Sequence, residues 1–222
     1  MISLNLKSNN HQTLKWEYDQ DLVPYNIAIS TMEEHIKNIY KQKSSEIIWL
    51  LEHPSIYTCG TSTKKEQILR HTEIPIINSG RGGQVTYHGP GQRIIYVMLN
   101  LNHRDKDIRK YVKTLENWMI KSLEHIGLKA YTCNDRIGIW VDGPNGESKI
   151  GAIGIRVSHW ITYHGISINI DPDLNYYNNI IPCGLKNFSV TSLKELGYNY
   201  SINEFDAVIK KSSKDFFYFK QK

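Results

Sequence analysis

Three short segments carry the residue types that can do covalent or proton-transfer chemistry. In Pro182-Cys183-Gly184, which follows the apolar Ile180 and Ile181, proline stiffens the approach and glycine adds no side chain. A large substrate can then reach the Cys183 sulfur, as a nucleophile requires. Free cysteine is also commonly a small buried hydrophobe, and that is the reading for Cys59 and Cys133. In Lys149-Ile150-Gly151-Ala152-Ile153-Gly154, a lysine enters an apolar, strand-like stretch. Partial loss of hydration suits such an amine to act as a base or as a cation beside a thiolate, although a solvated lysine at a strand end reads the same way. The segment Arg81 to Gln92, RGGQVTYHGPGQ, frees backbone N–H groups at its glycines, offers Arg81 and His88 as polar contacts, and can wall an apolar slot with Tyr87. A glycine-rich hairpin with incidental polar residues is the alternative. The segment is neither a P-loop nor a dinucleotide-binding glycine motif.

His88-Gly89 and His164-Gly165 repeat one pairing, which would place both histidines beside one pocket. The remaining histidines (11, 35, 53, 71, 103, 125 and 159) lack ligand spacing, as do the three cysteines, so neither a metal module nor a disulfide scaffold is expected. The 222 residues carry 27 Lys+Arg against 22 Asp+Glu, a net charge of +5. This mild surplus is compatible with acidic partners and does not argue for nucleic acid. The longest apolar runs, Ile47 to Leu51 and Ile94 to Leu99, fall far short of the roughly 20 residues that span a bilayer. The N-terminus, MISLNLKSNNHQ, has neither a secretory h-region nor an Arg-rich transit pattern. The expectation is a cytoplasmic protein of a reducing compartment with no membrane association.

These segments need elements to hold them. Ile27, Met32, Ile36, Ile39 and Tyr40 predict a helix over 26–43, and EIIWLLEH a buried strand that Ile56 to Thr58 would continue. Further strands are predicted at 74–77, 84–87, 94–101, 129–132, 137–141, 150–157 and 160–170, with a hairpin turn at Gly143 to Ser148. Ile108, Val112, Leu115, Met119, Leu123 and Ile126 predict a helix that Gly127 ends. Ser201 and Glu204 form a capping box ahead of Phe205, Val208 and Ile209. With no linker or repeat in view, the chain reads as one α+β domain over 1–222.

Taken in order, Arg81, Gly82, Gly83, Thr86, Tyr87, His88, Gly91, Gln92, Ile94 and Tyr96 resemble the signature of the lipoyl(octanoyl) transferase family, the protein N-octanoyltransferases of lipoate synthesis. Lys149 with Ala152, Ile153 and Gly154, then His164-Gly165 with Asn169, then Pro182-Cys183-Gly184 with Thr191-Ser192, extend the similarity from about Glu46 to Leu196. Ile166 and Ser167 stand where members often carry a bulky aromatic and an alanine, which bears on pocket lining and acyl-chain length. The resemblance implies an α/β (α+β) fold, a central mixed sheet flanked by helices, similar to the catalytic domain of biotin and lipoate protein ligases. It implies an enzyme that takes an octanoyl group from octanoyl-acyl carrier protein. The acceptor would be a lysine of the lipoyl domains of 2-oxoacid dehydrogenase complexes or of the glycine cleavage H protein. It would need no cofactor and act as a monomer. By the same implication Cys183 is the acyl-thioester nucleophile and Lys149 lowers its pKa. The substrate would lie against Arg81, Gly82, Gly83, Gln84, Val85, Thr86, Tyr87 and His88, against Ala152, Ile153 and Gly154, and against Gly165, Ile166 and Ser167.

The chemistry agrees with those residue types. Moving an acyl group from a thioester to an amine passes through tetrahedral oxyanions and calls for a thiolate, a cation and N–H donors. An ordinary thiol, with a pKa near about 8.5, is only a few per cent thiolate at neutral pH, so a cationic neighbour within about 4 to 6 Å raises the reactive fraction. An octanoyl chain needs a slot roughly 10 Å deep, and its burial contributes about 0.8 kcal/mol per CH2. An ATP-dependent ligase on the same scaffold, an amidotransferase and a non-catalytic basic module are the rival readings.

Overall fold

The computed structural model describes residues 14–70, 72–144, 146–184 and 188–217. The tail after Phe217 and the first thirteen residues lie outside the described residues. The periodic run after Asp105 forms α2 (Ile108–His125). It starts where the Asp107 carboxylate accepts the Lys110 N–H at 3.0 Å, and it stops before Gly127 at φ +83°. The Ser201–Glu204 capping box opens α3 (Ile202–Ser212) as expected, with Phe205 and Ile209 turned inward and Val208 half-buried.

The strands form two sheets. The larger runs β1 (Lys15–Leu22), β2 (Ile47–Glu52), β6 (Gln92–Met98), β10 (Ile161–Asn169), β9 (Gly146–Ser158), β8 (Ile139–Gly143), β7 (Ala130–Tyr131), and β11 (Ser189–Val190) lies beside β9. The β1–β2 and β9–β11 pairs are parallel, and the pairings from β2 through β7 are antiparallel. The smaller sheet runs β4 (Ile76–Asn78), β3 (Ile56–Cys59), β5 (Thr86–His88). Residues 56–59 therefore do not continue β2: Pro54 and Ser55 turn the chain, and β3 leaves to build the second sheet. The predicted hairpin turn is tighter than expected, since Gly143 pairs with Gly146. β1 was not predicted, because KWEYDQDL is mostly exposed and paired on one side only.

Each face of the large sheet is covered. Ile150, Ile166 and Ile168 pack with Leu115, Trp118 and Met119 of α2 and Phe205 and Ile209 of α3. On the other face, Ile94, Tyr96 and Tyr163 pack with Ala28, Met32, Ile36 and Ile39 of α1 (Tyr25–Tyr40). Ile27 and Tyr40, expected on the inner face of that helix, are instead 51 % and 56 % exposed, because Tyr25 and Ala28 set its inward stripe. A fork from Arg93 of β6 to Asp206 of α3, at 2.8 and 2.5 Å, fastens the sheet to the helix layer.

Candidate active site

The segments singled out by their chemistry converge where the two sheets meet. β9 and β10 pair so that Ala152 faces Ser167, Ile153 faces Ile166, and Gly154 faces Gly165. On its other side β10 sets Gly165 against Tyr96 and Ser167 against Ile94 of β6. Alternation puts Ala152, Gly154, Gly165 and Ser167 on one face, and these small side chains leave a trough across the strands. Gly165 is needed for the close approach, since a Cβ there would run into the Ile95 carbonyl oxygen.

β8 pairs with β9 only as far as Gly151. The edge beyond it is met by the glycine-rich loop, whose Gly82 N–H donates to the Ile155 carbonyl at 2.9 Å. Arg81 is buried and donates from Nη2 to the Thr58 carbonyl at 2.7 Å and to its hydroxyl at 2.8 Å, and from Nη1 to the Gly82 carbonyl at 3.0 Å. Its own contacts hold the loop over the trough and place a cation beside it. The cavity so formed has a volume of about 390 Å3 and is lined by Arg81 to Gln84, Thr86, His88, Ala152 to Ile155 and His164 to Ser167, among others. Val85 and Tyr87, expected against the substrate, do not line it. Alternation along residues 85–88 turns them into the small-sheet core with Tyr57 and Ile180, while Thr86 and His88 face the cavity.

Cys183 and Lys149 both line this cavity, and both also line a narrow cleft with Thr86, Ala152, Ser167 and Tyr177. Cys183 sits half-buried in a left-handed backbone conformation, φ 54° and ψ 19°. Its N–H donates to the Val85 carbonyl and that of Gly184 to the Ile181 carbonyl, each at 3.0 Å. Left-handed φ is costly for a residue with a side chain, and these bonds, together with Gly184 at φ +73°, hold the turn that presents the sulfur. Lys149 is buried on β9, where its ammonium donates to the Ile137 carbonyl at 2.9 Å and lies 5.4 Å from the centre of the Trp140 ring. The Tyr177 phenol is pushed above its usual range by burial and next by the neighbouring Cys183 sulfur.

The opposite end of the cavity is lined by the His88 and His164 imidazoles, with His53 packed against His88. His53 sits between the Val23 carbonyl at 2.6 Å and the Tyr96 hydroxyl at 2.7 Å. A carbonyl only accepts, so Nδ1 donates to Val23 and Tyr96 donates to Nε2. His88 Nδ1 likewise donates to the Gln92 side-chain carbonyl at 2.7 Å. Burial lowers His53 to about 4; His164 falls to about 3 through burial and then the nearby Arg81; His88 is lowered well below the usual range by burial, then by His53 and Arg81. His88 and His164 flank one cavity, as their shared sequence pairing suggested. Tyr25 joins them, its ring stacked on His88 at 6.1 Å, and His53, which lacks ligand spacing in the sequence, packs against His88 at 5.9 Å without lining the cavity. No local sequence signal marks Tyr25, which enters from the start of α1. Among the described residues, no three His, Cys, Asp or Glu side chains are grouped to hold a metal ion, and no helix is long and apolar enough to cross a membrane.

The family model for the lipoyl protein ligase A/B catalytic domain matches residues 24–214. An octanoyltransferase of Ehrlichia chaffeensis is 46 % identical over 209 residues, covering 94 % of this chain and 98 % of that one. The chain belongs to the octanoyltransferase family. A second octanoyltransferase, from Bartonella bacilliformis, is 44 % identical over 226 residues, with 97 % of this chain and 94 % of the relative covered. Among solved structures, the bi-partite lipoate protein ligase of Thermoplasma acidophilum superposes with a TM-score of 0.70 at 16 % identity, covering 95 % of this chain and 87 % of that one. That likeness meets the expectation of a ligase-type catalytic fold, and membership of the octanoyltransferases makes the chain an acyltransferase.

Proposed function

We propose that this octanoyltransferase carries the octanoyl group on Cys183 as a thioester between two protein partners, octanoyl-acyl carrier protein as donor and a lipoyl-domain lysine as acceptor. The observation that carries the reading is the placement of Cys183 and Lys149 on one cleft at the mouth of a trough floored by Ala152, Gly154, Gly165 and Ser167. The Cys183 thiolate attacks the donor carbonyl, a new C–S bond forms, and the bond to the donor sulfur breaks. The departing thiolate takes a proton from the Lys149 ammonium. The acceptor amine then attacks the acyl-enzyme, a C–N bond forms, the bond to Cys183 breaks, and the surplus amine proton returns to Lys149. Both residues end in their starting states.

The trough suits the acyl chain. Ser167 lines the catalytic cleft, and His164, three residues along β10, lines the cavity but not the cleft. Three residues of strand span about 10 Å, the reach of an extended octanoyl group. Arg81 to His88 on one side and Ala152 to Gly154 with Gly165 to Ser167 on the other would hold it, with Val85 and Tyr87 acting from behind the wall.

Incubation with octanoyl-acyl carrier protein is expected to give a hydroxylamine-sensitive octanoyl adduct by intact mass, absent in Cys183→Ala. An adduct that persists in that variant would move the nucleophile elsewhere. Transfer from free octanoate that requires ATP would replace the reading with that of a ligase.

A further inference from the structure

One buried carboxylate beside the site has no part in the scheme above. Glu116 on α2 is 5 % exposed. Its Oε1 accepts the N–H of Gly138 at 3.3 Å, and its Oε2 lies 3.4 Å from Lys113, one turn earlier on the same helix. The other end of the same peptide unit is the Ile137 carbonyl, the group that accepts the Lys149 ammonium at 2.9 Å. A single amide plane therefore stands between carboxylate and ammonium, with N–H toward the negative group and C=O toward the positive one. Hydrogen bonds arranged in series at low dielectric polarise one another. Reversing this plane would turn an N–H toward the ammonium.

Two further features say that the plane is held for Lys149. Gly138 has φ +139°, a conformation that disfavours side chains, and a Cβ there would collide with the end of the Lys149 side chain, 2.9 Å from its nitrogen. Ile137 also lines the cavity, so the peptide belongs to the wall against which the lysine is pressed.

We infer that Glu116 is a positioning residue for the transfer reaction: by holding the 137–138 peptide it keeps the Ile137 carbonyl turned to Lys149 and the ammonium in place beside Cys183. This rests on the reading of Cys183 and Lys149 as the reacting pair. Nearest them in the wall are Asp135 and Arg136 from the loop before β8, with Glu147 paired to Arg136 at 2.5 Å, and Tyr177 in the cleft; Arg81, His88, His164, Tyr25 and Tyr96 face the same cavity. Lys113, which also donates to the Thr132 hydroxyl at 2.5 Å, faces Glu116 itself.

The test follows Cys183 alkylation by iodoacetamide, read by peptide mass so that Cys59 and Cys133 do not contribute, and single-turnover acylation from octanoyl-acyl carrier protein. Glu116→Ala is expected to slow alkylation about ten-fold near neutral pH and to leave it unchanged near about pH 10, where an ordinary thiol is ionised without help. Acylation falls by the same factor. Glu116→Met fills the same space without an acceptor and carries the test where the alanine variant does not fold. Glu116→Gln, whose amide oxygen still takes the Gly138 N–H, restores most of both rates. Glu116→Ala with Lys149→Ala reacts as Lys149→Ala alone, since no ammonium is left to place. The inference is overturned if the alanine and methionine variants alkylate at the wild-type rate, if glutamine is as slow as alanine, or if the double variant loses a further factor. Failure of the underlying pair looks different: Lys149→Ala would itself then alkylate as fast as the wild type.

Discussion

β9 and β10 present two unlike faces to the molecule. Toward α2 and α3 they offer Ile150, Ile166 and Ile168, each at most 2 % exposed and packed among large side chains. Toward the small sheet the same strands offer Ala152, Gly154, Gly165 and Ser167. Large residues fill one side to crystal-like density, and the small ones leave a trough on the other. The strands are one rigid support serving stability on one face and substrate on the other, and the difference is written in side-chain volume.

Acid should separate the two sides most strongly, because the imidazoles lie on the cavity side. His53 and His164 titrate at about 4 and about 3 in the folded protein, below the about 6.5 of an unfolded histidine. Between those values the unfolded chain binds more protons, so stability falls as pH falls. With His88, which burial also holds well below its usual range, three such groups cost on the order of 4 kcal/mol per pH unit in that window. Urea unfolding from about pH 6.5 down to about pH 4 is expected to show this slope, and His164→Gln should remove roughly a third of it. An unchanged slope in that variant would mean that His164 is charged in the folded state.

Gly165→Ala tests whether the trough is bounded by backbone. The added Cβ meets the Ile95 carbonyl of the neighbouring strand, so β6 and β10 must part, at a cost of about 3 kcal/mol. A variant as stable as the wild type by urea unfolding would show the strands free to separate. Gly154→Ala is milder. Its Cβ comes within 3.0 Å of the Arg81 side chain and 3.1 Å of the Gly82 carbonyl, which press on the trough from the loop side. Acylation by an octanoyl donor should fall about ten-fold, about 1.4 kcal/mol in the barrier, with a smaller loss for a butanoyl donor. Equal losses would place the chain outside the trough.

Much of this is legible in the sequence, for physical reasons that differ by segment. The helix at 108–125 was readable because one periodic stripe decides its inward face, and the cap at Ser201 because its two hydrogen bonds are local. The strands at 150–157 and 160–170 were readable from their apolar runs, whereas the register that sets Ala152 to Gly154 against Gly165 to Ser167 comes from the fold. β1 stayed hidden because an exposed edge strand buries too little to leave a pattern. The second sheet stayed hidden because β3 pairs with residues about 20 and 30 positions away. Tyr25, His53 and Glu116 reach the site from elements that carry no motif, and only the fold brings them there.

The smallest expected effect is also the cleanest contrast with Gly154. Ile168 lies on β10, one residue beyond Ser167, but its side chain faces α2 and is fully buried. Ile168→Val removes one methylene from a packed core, which costs about 1 kcal/mol through lost transfer energy and a small cavity. The trough face keeps its shape, because the strand backbone between the faces has no reason to move for a deletion of that size. Thermal unfolding should therefore drop by a few degrees, while the rate of octanoyl acylation per folded molecule stays at the wild-type value. If acylation falls along with stability, the two faces are coupled through the strand, and the division of labour between them does not hold.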